Sequence, residues 1–93
     1  MIVGCCEIEI YIYEAYSLKD KRMVIKSALE KMRNRFNISI SEVGDNDLWN
    51  KAYISFCTVS NEQKKVNKTI QECLKFLEMN DRIEIINSVI NYY

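Results

Sequence analysis

The chain has 93 residues, of which 48% are hydrophobic and 28% are charged. These fractions are near the averages for globular domains, so they exclude a disordered or collagen-like chain and predict one domain over residues 1–93. The 13 basic and 13 acidic residues cancel, so any attraction to nucleic acid or to a membrane must come from the arrangement of charge.

The first predicted strand runs from Ile2 to Tyr13, where apolar side chains recur at every second position. This alternation is typical of a strand with one buried face and one open face. The first helix is predicted from Leu18 to Phe36. Ser17 has the position and the residue type of an N-cap, and Asp20 follows it at the spacing of a capping box.

A hairpin is predicted next, because two short alternating segments flank a cluster of turn residues. Its strands are Ile38 to Val43 and Lys51 to Val59, and its turn contains Gly-Asp-Asn-Asp at residues 44–47. The Asp-x-Asp spacing of this turn lacks the later ligands of a calcium loop, so we expect no metal there. We expect Trp49 to close the core at the hairpin.

The remaining elements are a second helix and a last strand. Ser60 or Asn61 is expected to cap the helix, and Asn80-Asp81 to end it. Ile83 to Ile90 then supplies the fourth strand.

The element order β-α-β-β-α-β, with a tight hairpin in its middle, predicts an α+β, ferredoxin-like fold. Right-handed crossovers place both helices on one face of a four-stranded, antiparallel-type sheet and leave the other face open. The residues expected to share the core are Ile8, Ile10, Ile25, Leu29, Met32, Ile54, Phe56, Ile70 and Leu74.

The chemistry that the chain can perform is restricted by what it lacks. It has no histidine and no glycine-rich phosphate loop, so we expect no enzyme and no cofactor. Its cysteines form no C-x-x-C pair, so we expect no metal, buried reduced thiols at Cys6 and Cys73, and a cytoplasmic protein. Glu7 and Glu9 interrupt the first apolar stretch, which argues against a membrane span or a signal peptide.

The first helix carries an excess of basic charge. Between Ser17 and Phe36 there are seven basic and two acidic residues, a net charge of +5, and the rest of the chain has a net charge of −5. At 100° per residue, four of the cations share a flank of the helix about 60° wide. With Lys21, these are our candidate residues for binding phosphate or nucleic acid. The flank consists of Lys19, Arg22, Lys26 and Arg33.

A solvated helix face is the alternative interpretation of these cations. Lys26 would then pair with Glu30 one turn away, and Lys21 or Arg22 would pair with an acid of a neighbouring loop. However, Lys19, Lys21 and Arg22 lie near the helix start, where the helix dipole disfavours positive charge. A helix that served only as a scaffold would favour acids at those positions. The sequence leaves both interpretations open.

The open face of the sheet is the second candidate surface. Tyr11, Tyr13 and Tyr53 are expected on its central strands, where the aromatic residues of RNA-recognition motifs stack on bases. Glu7 and Glu9 are expected on the same face, where they would repel a phosphate backbone. A homodimer interface and ordinary half-exposed tyrosines are therefore the two favoured interpretations of this face.

Four stretches of the chain resemble the bacterial YlxP-like family. They read S-L-K-D-K-R at 17–22, R-N-R-F-N-I-S-I-S-E-V-G at 33–44, D-L-W at 47–49 and V-S-N at 59–61. The resemblance implies a ferredoxin-like fold. The family is one of unknown function, and its genes often lie beside those of translation initiation factor two and a small ribosome-binding factor. This association implies a role near ribosome assembly or translation.

We therefore expect a non-enzymatic cytoplasmic module that contacts RNA or a ribosomal particle through the first helix. A protein-interaction or homodimerisation module that uses the open sheet face is the alternative, and a small phosphate-ester enzyme is a third hypothesis. Relatives usually have proline or glycine before the serine at position 17, where this chain has Glu14-Ala15-Tyr16. The shape of that loop is therefore left open.

Overall fold

A computed structural model of the chain describes residues 1–44 and 48–93. The elements follow the predicted order, and their bounds differ from the predicted ones by two residues or fewer, with β1 ending one residue early and β4 running two residues further. They are β1 (Ile2–Ile12), α1 (Leu18–Arg35), β2 (Ser39–Val43), β3 (Lys51–Ser60), α2 (Gln63–Glu78) and β4 (Ile83–Tyr92).

The four strands form one antiparallel sheet in the order β2-β3-β1-β4, so β1 and β3 are central. The even-numbered side chains of β1 and β3 are buried in one cluster with the apolar stripes of α1 and α2. Both helices therefore lie on the same face of the sheet, and the odd-numbered side chains line the other face. This is the predicted ferredoxin-like arrangement.

A β-bulge interrupts the pairing of β4 with β1. Glu9 pairs with Asn87 but Ile10 pairs with Ile85, so Ile86 is an extra residue on β4. A one-residue insertion reverses which side chains face the core. Odd-numbered residues of β4 face the helices before the bulge, as Ile83 does, and even-numbered residues face them after it.

The predicted core is confirmed except at one position. Eight of the nine residues expected in the core are 7% exposed or less, whereas Leu74 is only half-buried. The buried stripe of α2 consists of Val66, Ile70, Cys73 and Leu77. Leu74 lies about 70° around the helix from the middle of that stripe, so it packs against the rim of the core.

Helix α2 packs tightly against the sheet at Gly4 of β1. A Cβ atom at this position would meet Cγ1 of Val66 and would lie 2.8 Å from Cδ1 of Ile70. The β-branched Val66 has little freedom to move away, because its χ1 angle is restricted in a helix. The absence of a side chain at Gly4 therefore allows α2 to rest directly on β1.

We predict that Gly4→Ala lowers the free energy of unfolding by about 1–3 kcal/mol, the usual cost of overpacking a filled core. Urea denaturation would measure the change. Ser88→Ala, on the exposed edge strand, is the control and should change the free energy by less than about 0.5 kcal/mol. A Gly4→Ala protein as stable as the wild type would show that α2 can shift at no cost.

The thiols divide into two kinds. Cys6 and Cys73 are buried as predicted, and burial raises the pKa of Cys6 to about 11 and that of Cys73 to about 12. Cys5 and Cys57 are directly opposite each other on β1 and β3 and are half-buried on the open face. Burial and the neighbouring Cys57 raise the pKa of Cys5 as well.

We predict that iodoacetamide at pH 8 alkylates Cys57 and Cys5 in the folded protein and spares Cys6 and Cys73. The raised pKa values leave the buried thiols protonated at this pH, and alkylation requires the thiolate. Peptide mapping by mass spectrometry would give the order of modification. Alkylation of Cys6 or Cys73 at the rate of Cys57 would contradict the packing described above, and unfolding in urea should make all four react.

Candidate nucleic-acid interface

The start of α1 is fixed by reciprocal hydrogen bonds. Ser17 is the N-cap, as predicted, and its Oγ accepts a bond of 3.1 Å from the backbone N–H of Asp20. The carboxylate of Asp20 accepts a bond of 3.3 Å from the N–H of Tyr16, one residue before the usual capping-box donor. The helix therefore begins at Leu18 and places Lys19 and Lys21 in its first turn.

The turn between β1 and α1 needs an unusual backbone conformation. Glu14 has a φ of 59°, in the left-handed region that non-glycine residues seldom adopt. Arg82 holds this turn from the start of β4, because its Nε donates to the carbonyl of Tyr13 at 2.8 Å and its Nη2 to that of Glu14 at 3.1 Å. The loop shape that the sequence left open is thus stabilised by a distant arginine.

Of the five cations predicted on α1, four are exposed, among them Lys19, Arg22 and Lys26. Arg33 is also exposed, but its Nη2 donates to the carbonyl of Ile40 at 2.9 Å and so links α1 to β2. At 1.5 Å per residue, the flank from Lys19 to Arg33 is about 21 Å long. The three exposed cations and Arg33 form a basic flank, the name used below for these four residues.

Lys21 lies on a different side of α1 from the basic flank. Its side chain is 3% exposed, and its Nζ donates to the carbonyl of Leu48 at 2.9 Å. Lys21 therefore contributes to the loop between β2 and β3 rather than to the exposed surface. The spacing could have indicated this, because Lys21 precedes the buried Ile25, Ala28 and Met32 by four, seven and eleven residues, which places it on their face of the helix.

We predict that Lys21→Met lowers the free energy of unfolding by about 1.5–3 kcal/mol, the range for hydrogen bonds made by charged groups. Methionine keeps the apolar stem and removes only the ammonium group. Lys26→Met, at an exposed position of the same helix, is the matched control and should be nearly neutral in the same urea titration. Equal or greater stability of Lys21→Met would mean that the desolvation of the ammonium outweighs its bonds.

Ion pairing does not account for the basic flank. In the described parts of the chain the ion pairs are Lys51–Glu9, at 2.8 Å, and Lys65–Glu62, at 3.8 Å. The pair between Lys26 and Glu30 that the sequence allowed is not formed. The neighbouring loop whose acids could pair with Lys21 or Arg22 includes Asp45 and Asp47, which lie outside the described residues.

The far end of α1 is used for packing. The guanidinium of Arg35 lies 5.2 Å from the ring centroid of Phe76 on α2 and 5.9 Å from that of Phe36. The rings of Phe36 and Phe76 meet edge to face, with centroids 5.7 Å apart. These cation–π and aromatic contacts join the two helices, and Arg35, although exposed, lies outside the basic flank, about 160° around the helix from Lys19.

The open face brings the predicted tyrosines together with carboxylates. Tyr11 and Tyr13 pack edge to face at 5.0 Å, and the hydroxyl of Tyr13 donates to Glu84 at 2.9 Å, which raises the pKa of Tyr13. Tyr53 is 37% exposed on the neighbouring strand. Glu9 accepts from Lys51, and this bond raises the pKa of Lys51. The tyrosines therefore already have partners or acidic neighbours.

A shallow depression of about 380 Å³ lies on this face and is lined by residues of all four strands. Its lining includes two carboxylates, from Glu7 and Glu9, together with apolar side chains of Val43, Tyr53 and Val89. Carboxylates repel phosphate, whereas exposed valines favour contact with another apolar surface. The open face thus fits a protein contact better than a nucleic acid.

The end of the sheet near Trp49 differs from the prediction. Trp49 is 54% exposed, so the expectation that it closes the core is wrong. It precedes β3 and lies outside the first buried position of that strand, where Ala52 already fills the core. A depression of about 220 Å³ beside the indole is lined by Ala15, Leu48, Trp49 and Asn50. No alternation surrounds Trp49, so its sequence context gave no signal of burial or exposure.

The described residues contain no cluster of three histidine, cysteine, aspartate or glutamate side chains that could hold a metal ion. Nor does any described helix have the length and apolar character needed to cross a membrane.

Comparison with known proteins supports both the family resemblance and the fold. The model of a family described as "Protein of unknown function (DUF503)" matches residues 3–90. The chain is 39% identical over 83 residues to the uncharacterized protein YlxP of Bacillus subtilis, covering 89% of this chain and 90% of that protein. A de novo designed protein with a ferredoxin fold, solved by NMR, also aligns with this chain. The alignment covers 100% of this chain and 84% of the designed chain, with a TM-score of 0.55 and 13% identity.

Proposed function

We propose that this chain, which belongs to the DUF503 family, is a non-enzymatic cytoplasmic module that binds RNA or a ribosomal particle through the basic flank of α1. The observation that carries the proposal is the exposure of Lys19, Arg22 and Lys26, none of which has an ion-pair partner among the described residues. Cations of this kind release counterions when they meet phosphates, and that release drives association.

The position of the charges supports a ligand rather than a structural role. Lys19 and Arg22 lie in the first two turns, where each opposes the helix dipole by a few tenths of a kcal/mol. A phosphate at this helix start would be attracted by the dipole and by both side chains. The rest of the chain carries the opposite net charge, −5, so the excess of positive charge is concentrated on α1.

The chemistry of the side chains supports a binding role. The chain has no histidine to serve as a general base. The raised pKa values of Cys6 and Cys73 keep these buried thiols protonated, which makes them poor nucleophiles at neutral pH. Unpaired cysteines also suit the reducing environment of the cytoplasm.

The open sheet face supports a second candidate, a homodimer. Its exposed apolar side chains include Val43, Val59 and Val89, which are 41%, 51% and 45% exposed. Sedimentation equilibrium over a range of protein concentrations would detect such a dimer, and a monomer throughout would exclude it. The dimer is compatible with RNA binding, because α1 covers the opposite face of the sheet.

We predict that the double variant Lys19→Gln/Arg22→Gln weakens binding to RNA and to ribosomal subunits. Each lost phosphate contact should reduce the slope of log affinity against log salt by about 0.7 for single strands and about 0.9 for duplexes. Filter binding and co-sedimentation with subunits at low and moderate salt would measure this. The free energy of unfolding should stay level or rise slightly, because two unfavourable dipole interactions are removed.

The matched control is Lys64→Gln/Lys68→Gln, which removes two exposed cations from α2. It should leave the salt slope nearly unchanged. Equal loss of binding in both double variants would indicate nonspecific attraction and contradict a defined site on α1. A fall of more than about 1 kcal/mol in the stability of Lys19→Gln/Arg22→Gln, with binding unchanged, would make these residues structural.

A further inference from the structure

Three large side chains are exposed at one end of the sheet, beside the start of α1. Tyr16 is 75% exposed, Leu48 is 56% exposed and Trp49 is 54% exposed. We call the two aromatic residues Tyr16 and Trp49, together with the neighbouring Leu48, the aromatic tip. They lie on two connections, between β1 and α1 and between β2 and β3, so they are far apart in sequence. The two connections meet where Ala15, the residue before Tyr16, lines the same depression as Leu48 and Trp49. Large exposed apolar side chains that lie near one another mark interaction sites more often than scattered ones do.

The backbone on either side of the Trp49 indole is held in place. The carbonyl of Leu48 accepts from Nζ of Lys21 at 2.9 Å, and the carbonyl of Asn50 accepts from the N–H of Ile12 at 2.8 Å. Ala15 lines the same depression as the indole. Trp49 is therefore presented to solvent on an anchored backbone, which lowers the entropic cost of binding a ligand.

The charges near the aromatic tip indicate the class of ligand. The hydrogen bond from Lys21 to Leu48 brings the loop of Trp49 against the first turn of α1. Arg22 lies about 100° and Lys19 about 160° around the helix axis from Lys21, so a bound strand would pass around the helix start to meet both the indole and these cations. The carboxylate of Asp20, which accepts from the N–H of Tyr16, and the exposed Glu14 offset part of the positive charge of Lys19, Lys21 and Arg22. Aromatic side chains beside cations are the usual means of binding single-stranded nucleic acid, because bases stack on the rings while cations meet the phosphates.

We infer that Trp49 and Tyr16 stack on unpaired bases of single-stranded RNA whose phosphates contact Lys19 and Arg22. This inference rests on the proposed function and specifies its ligand. Bases within a duplex are already stacked on one another and are not available to a protruding aromatic side chain. The site would thus select unpaired nucleotides, such as those of a loop or a strand end, over a continuous helix.

Intrinsic fluorescence offers a direct test, because Trp49 is the only tryptophan of the chain. Unstructured oligouridylate and oligoadenylate, about ten nucleotides long, should quench its emission. A blunt RNA duplex with the same number of phosphates should not. Trp49→Ala should weaken single-strand binding by about 5- to 150-fold, the range of one base–aromatic stack. Because no charge is lost, the salt slope should stay as in the wild type.

Two variants sharpen the test. Trp49→Phe keeps a stacking ring and should retain most of the affinity that Trp49→Ala loses, which a purely steric role would not require. Tyr93→Ala removes another exposed aromatic, 76% exposed, and should bind like the wild type. Tyr93 pairs with Val3, at the opposite end of β1 from the aromatic tip.

The outcomes separate this inference from the proposed function. If RNA binds with a salt slope that depends on Lys19 and Arg22, but the emission is unchanged and Trp49→Ala binds normally, the stacking inference is wrong and the proposed function stands. Equal weakening of single-strand and duplex binding by Trp49→Ala would also overturn it. If neither RNA binds at about 50 mM salt, where phosphate contacts are strong, both proposals fail.

Discussion

The central strand β1 is the element on which the rest of the structure depends. It pairs with β3 along one edge and with β4 along the other, so its register sets the position of both neighbours. Ile8, Ile10 and Ile12 all point to the helix face and are almost fully buried there. A shift of β1 by one residue would expose these isoleucines and bury Glu7 and Glu9, which is prohibitively unfavourable. The two faces of the sheet therefore have fixed and different characters.

The same constraint explains how α1 comes to have two kinds of lysine. The helix must place Ile25, Ala28 and Met32 over the sheet, and Lys21 lies on that buried side one turn before them. Its ammonium group donates to the backbone carbonyl of Leu48, since a buried cation requires hydrogen-bond acceptors. Lys19, two residues earlier, is on the exposed side. Two lysines in the same turn thus have different roles: Lys21 holds the loop between β2 and β3, and Lys19 is exposed to solvent.

The fold separates two surfaces that differ in charge and polarity. The basic flank lies along α1, and the aromatic tip lies beside the start of that helix. The carboxylates and valines lie on the open face of the sheet. An anionic ligand and an apolar partner would therefore approach from different directions. Neither surface needs a conformational change to become accessible, since the side chains of both are already at the surface.

The sequence by itself determined the features that depend on local periodicity. The alternation in β1, the N-cap at Ser17 and the spacing of apolar residues in α1 each involve neighbours within a turn or a strand, so they could be read correctly. The basic flank followed from the same helical geometry. The resemblance to the YlxP-like family was also contained in the residues themselves, and the family match confirmed it.

Only the tertiary structure decided the features that join distant parts of the chain. The bulge at Ile86 reverses the faces of β4, and nothing in that segment alone reveals where a strand inserts a residue. Arg82 holds the turn at Glu14 across 68 residues, and Lys21 holds Leu48 across 27. The exposure of Trp49 depends on how much room the core has left at the start of β3. Such outcomes are set by packing between elements, and a local pattern carries no information about the partner that a side chain will meet.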